Sequence, residues 1–134
     1  MGRILITVLG FMVVTFGVQG GSHFVLAVDH YDTISFIRPD PVLPMGFAAM
    51  IVQASIMGLV LTRLWPEGVT LKQALLVSAC FGMFLASYIV LAEPAKYAAP
   101  SIGAWMATEA MASTLQFTLF GAVLWLIFRR RDSQ

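Results

Sequence analysis

The chain has 134 residues, of which 59% are hydrophobic and 11% charged, with a formal net charge of +1. An average soluble domain is about 25% charged, so this sequence lacks the polar surface that a water-soluble core, a disordered segment or a nucleic-acid platform requires. A mean hydropathy of +0.86 points the same way, toward an integral membrane protein.

Four stretches, Ile4–Val28, Val42–Thr62, Gln73–Ala92 and Ile102–Phe128, hold one formal charge between them, Glu109. About 20 helical residues cross a hydrocarbon core of about 30 Å. Lipid leaves bare backbone N–H and C=O groups without partners, so apolar runs of this length must be helical. The expected fold is therefore an all-α bundle of four transmembrane helices, with spans near 4–28, 42–62, 71–92 and 102–128.

The first span follows Arg3 and ends at Val25-Leu26-Ala27, a pattern that resembles a signal peptide. Signal h-regions are about 7–15 residues long, and this run is longer, so an uncleaved helix is expected. Gly17 and Gly21 form a GxxxG pair within it, the kind of small-residue stripe that lets helix backbones approach closely. Asp40-Pro41 and Pro44 open the second span, where a missing N–H costs nothing in a first turn; Ala54 and Gly58 form its small-residue stripe. Thr70-Leu-Lys-Gln73 has the capping-box spacing that starts the third, whose own stripe is Ser78, Gly82 and Ala86. Cys80, the one cysteine, is expected to behave as a buried apolar side chain. Pro100-Ser101 precedes the fourth span. Trp65, Tyr97, Trp105 and Trp125 fall near span ends, as interfacial aromatics do.

Lysine and arginine set the expected orientation. With a cytoplasmic N-terminus, Arg3, Arg63, Lys72 and Arg129–Arg131 lie inside and only Arg38 and Lys96 outside. That bias predicts both termini in the cytoplasm.

The chain also aligns with itself. Phe16-Gly17-x-x-x-Gly21-Ser22-His23 matches Phe81-Gly82-x-x-x-Ala86-Ser87-Tyr88, and Val52-Gln53 with Gly58 matches Leu115-Gln116 with Gly121. A tandem duplication of a two-helix hairpin, residues 4–65 and 70–128, is expected from this. Both copies would share one topology, related by an axis along the membrane normal, which pairs His23 with Tyr88, Gln53 with Gln116, and Gly46 with Glu109.

A carboxylate inside hydrocarbon is costly and must face protein or water. Glu109 lies about 10 Å below the end of its helix by residue count; His23 and Tyr88 fall at similar depth. With Trp105, Gln53 and Gln116 they make up a candidate intramembrane polar site. Trp105, Glu109, Ser113 and Gln116 share one helix face, expected to look across at Gly46, Ala49 and Gln53. Such a cluster serves either as a proton relay or ligand site, or as hydrogen-bonding glue between helices. A metal site drawn from His23, Asp29, His30 and Asp32 is a remote alternative, since imidazole and carboxylate suit zinc or copper but the spacing matches no metal motif. No cofactor is expected: haem would want axial ligands within spans, and His23 is the one histidine there.

His30-Tyr31, Pro44, Trp105, Gln116 and Gly121 resemble the layout of small four-helix bacterial inner-membrane proteins, a resemblance that brings no activity with it. The chain is not similar to small multidrug exporters, which carry their acidic residue in the first helix. HExxH, GxSxG, phosphate loops and paired intramembrane carboxylates are missing, so an enzyme is not expected. The leading expectation is a subunit or scaffold that acts by helix packing with its own copies or other membrane subunits in the bilayer. The alternatives are a proton-linked carrier or channel using Glu109, and outward-facing metal handling.

Overall fold

The computed structural model describes residues 2–36, 38 and 40–130. Four helices are long and apolar enough to cross a membrane: α1 (Gly2–Leu26), α3 (Leu43–Leu64), α4 (Leu71–Lys96) and α5 (Ile102–Phe128). A short helix, α2 (Val28–Asp32), follows the first crossing. The spans run alternately up and down. One end of the bundle, the terminal end, holds Gly2, Arg130 and the Trp65–Thr70 turn; the other, the hairpin end, holds the Ala27–Phe36 segment and the Tyr97–Ser101 connection.

Local chemistry sets the boundaries. Pro44 sits in the first turn of α3. Thr70 and Gln73 form the reciprocal capping box that starts α4, and the Ser101 hydroxyl accepts from the Ala104 N–H at the start of α5. At the terminal end Gly68 turns with φ +115°, and a Cβ there would lie 2.7 Å from the Arg130 nitrogen. That left-handed, crowded position is open only to glycine. It brings the Val69 N–H to the Phe128 carbonyl at 2.9 Å, so the turn covers one of the carbonyls that a helix C-terminus leaves without a partner.

The core lies in the terminal two-thirds of the bundle. Phe11, Met57, Leu61, Phe120, Leu124 and Phe128 are fully buried there, and Phe11 meets Phe120 edge-on at 4.7 Å. Lipid is as apolar as these side chains, so close packing rather than escape from water holds the helices together. Gly82 lies directly on Phe117, Gly121 on Leu75 and Ser78, and Gly58 on Thr7. The Ser78 hydroxyl donates to the Phe117 carbonyl at 2.6 Å. The stripes on α3 and α4 are thus used inside the chain at Gly58, Ser78 and Gly82. On α1, by contrast, nothing stands within 4 Å of a Cβ at Gly17 or Gly21. Cys80 is exposed on the outside of the bundle, contrary to the expectation of a buried thiol, because it occupies the face of α4 opposite Ser78.

Two of the long helices widen near the hairpin end. α1 adopts π-turns at Phe16–Gly20 and Ser22–Leu26, and α4 adopts one at Tyr88–Ala92. A π-turn takes an extra residue per turn and rotates everything beyond it relative to an α-helical register.

Candidate functional site

Polar side chains converge in the hairpin half, between α1, α5 and the connection after α1. On α5 the predicted face is buried throughout: Trp105, Glu109, Ser113 and Gln116 are each at most 6% exposed. Their partners were not all foreseen. Tyr31, from α2, donates its phenolic hydrogen to a Glu109 carboxylate oxygen at 2.7 Å. Burial above all, then the bond to Glu109, pushes the Tyr31 phenol above its ordinary value near 10, although Ser22 beside it pulls the other way. The phenol is therefore a fixed donor across the physiological range.

Deeper in the bundle, Gln116 ties α5 to α1 twice. Its Nε2 donates to the Thr15 hydroxyl at 3.0 Å, and its Oε1 accepts from Gln19 Nε2 at 2.8 Å. His23 turns back along α1, with Nδ1 3.0 Å from the Gln19 carbonyl. A carbonyl only accepts, so Nδ1 carries the proton. The imidazole lies flat on the Tyr31 ring, centroids 3.7 Å apart and planes 13° apart. His23 thus reaches Glu109 through Tyr31 rather than directly.

Trp105 has a different task, set by Pro94. The π-turn sends the Glu93 N–H to the Tyr88 carbonyl, and the next residue along, Pro94, has no N–H to give. The Ile89 carbonyl is left without a backbone donor, and the Trp105 indole N–H fills the gap at 2.9 Å.

Two expected members stand elsewhere. Tyr88 is 49% exposed, and its hydroxyl accepts from Lys96 Nζ at 3.1 Å instead of meeting Glu109. It continues the exposed face of α4 that carries Cys80 and Phe84, eight and four residues before it. Gln53 lines a small apolar cleft of about 170 Å³ with Phe81 and Phe84, between α3 and α4. Gly46 and Ala49 are exposed, and nothing stands within 4 Å of a Cβ at Gly46, so the expected face opposite Glu109 belongs to Tyr31 and not to α3.

The metal alternative finds no geometric support. Among the described residues no three His, Cys, Asp or Glu side chains come together as ligands. His23 is stacked on Tyr31, His30 sits edge-on to Tyr31 at 5.2 Å, and Asp29 and Asp32 point outward as exposed residues.

Tyr31, Gln19, Ser22 and Thr15 are members that the sequence reading missed. Gln19 did carry a signal, as an amide inside the first uncharged run. Tyr31 carried none, because it lies outside every span. No protein-family model, curated protein or solved structure matches this chain.

Proposed function

We propose that the chain is a non-enzymatic multi-pass protein of a bacterial inner membrane, a subunit or scaffold that works by packing its helices against other copies or other membrane subunits, with both termini cytoplasmic. The observation that carries this reading is how the intramembrane polar groups are spent. Glu109 is bonded by Tyr31, Gln116 by Gln19 and Thr15, and Trp105 by Ile89. Such bonds average about 0.6 kcal/mol in a membrane, and their use here is to fix α1, α2, α4 and α5 relative to one another.

The outside of the bundle supports the same reading. A lateral cleft of about 430 Å³ runs between α4 and α5 over Ala79, Gly82, Ala86, Thr114 and Thr118. The Gly17–Gly21 face of α1 is uncovered as well. Extraction in a mild detergent, followed by sizing, tests the reading. A defined oligomer or a stoichiometric partner is expected, and a well-behaved lone monomer would overturn it.

A second reading, a proton-linked carrier or channel, rests on one observation: Glu109 is a buried carboxyl within a helix long and apolar enough to span a membrane, and an intramembrane acid is a natural place to carry a proton. It expects that Glu109→Gln abolishes pH-dependent solute flux in vesicles while the fold survives. Wild-type vesicles without such flux would dismiss it.

A further inference from the structure

The connection after α1 does more than join two spans. Residues Ala27–Phe36 lie across the hairpin end, directly over polar groups. Beneath them Ser22 of α1 and Glu109 of α5 are both buried and both adjoin the Tyr31 phenol. Gln19 and Gln116 follow about 10 Å deeper along α5, seven residues at 1.5 Å each. A polar seam thus descends between α1 and α5 from the hairpin end.

The cover packs apart from the main core. Tyr31 and Ile34 are buried with Trp105 in a separate cluster, and Phe36 lies against Tyr97 and Trp105 with ring centroids 4.8 and 5.9 Å away. Asp32, Thr33 and Ser35 are exposed. Ala27 leaves helical geometry with φ −126° and ψ 29°, between a π-turn and a helix of only five residues, and so forms a natural hinge. Closure also works against itself: it buries His30 Nε2 with no hydrogen-bond partner among the described residues. A buried polar atom left unpaired opposes the state that buries it. Opening would give that nitrogen to water.

We propose that Ala27–Phe36 is a lid, latched by the Tyr31–Glu109 hydrogen bond, and that releasing this bond admits water to the seam between α1 and α5. The lid stands independently of the subunit reading, since a scaffold and a carrier can both carry one.

Cysteine accessibility in proteoliposomes tests it. In a Cys80→Ser background, Ser22→Cys places a thiol beneath the lid, and Ala54→Cys places one in the apolar core. A charged, membrane-impermeant methanethiosulfonate is added on the side that the lid faces. With Tyr31 present the thiol at position 22 is expected to react slowly. Tyr31→Phe should speed that reaction about three- to fifteenfold, the weight of one hydrogen bond between membrane helices. Glu109→Gln should leave it slow, because an amide oxygen still accepts from the phenol. The thiol at position 54 should stay unreactive in every case. Equal rates at position 22 with and without the Tyr31 hydroxyl overturn the lid. Reaction at positions 22 and 54 together also overturns it, since that describes a bundle loosening as a whole.

Discussion

Gly82 and Gly17 occupy matching places in the candidate repeat, yet their surroundings differ, and that difference can be measured. A Cβ on Gly82 would stand 2.6 Å from Phe117 Cγ and 2.8 Å from its Cβ. Carbon atoms rest about 3.5–4.0 Å apart, so Gly82→Ala demands about 1 Å of extra separation between α4 and α5. Phe117 is 5% exposed and packs against Phe11, which restricts its escape. Overfilling of this kind costs about 1–3 kcal/mol. One turn away, the Ser78–Phe117 bond at 2.6 Å would be stretched, adding about 0.6 kcal/mol. The total is about 2–4 kcal/mol, or about 30- to 1000-fold in the folding equilibrium. At Gly17 nothing stands within 4 Å, so Gly17→Ala should be neutral or gain up to about 1 kcal/mol of helix propensity. Reversible unfolding in bicelles, followed by steric trapping, reads both. Equal effects at the two glycines would refute the packing argument.

Three further outcomes follow from the polar groups. Trp105→Phe should cost about 1–3 kcal/mol by stranding the Ile89 carbonyl; Pro94→Ala, which supplies an N–H near that carbonyl, should recover part of the loss in the double variant. A double-mutant cycle between Gln19→Leu and Gln116→Leu should give a coupling of about 0.6–1.7 kcal/mol, and strictly additive losses would remove the bridge from the account. The Tyr31 phenol titrates higher in the folded chain than in the unfolded one, so the folded state holds that proton more tightly. Its contribution is therefore intact below about pH 10 and falls as pH rises beyond that value. The difference in stability between wild type and Tyr31→Phe should shrink over that range, and a constant difference would contradict the assignment.

Much of this architecture was legible from charge alone. The uncharged runs gave four helices with ends shifted by a few residues, and Pro44, Thr70 and Ser101 marked starts that the structure uses. The buried face Trp105–Glu109–Ser113–Gln116 was legible as well, because α5 is α-helical throughout and the i, i+4 spacing holds along it. Where the reading failed, it failed in direction. A residue count along α4 says nothing of which way Tyr88 faces, and Tyr88 stands four residues on from Phe84, on an exposed face of the helix. The same limit hid Tyr31, which reaches Glu109 from a connection whose path depends on tertiary packing. The uncovered Gly17–Gly21 pair shows a related limit: a GxxxG spacing says that backbones could approach there, not which backbone does.

The claim beneath all of this is that the chain crosses lipid an even number of times. Single cysteines at Gly2 and Arg130, in a Cys80→Ser background, and a third at Ala98 in the Tyr97–Ser101 connection, can be probed in sealed vesicles of one orientation with an impermeant maleimide. The account predicts that positions 2 and 130 respond alike and position 98 oppositely. Labelling of positions 2 and 130 from opposite faces would contradict it.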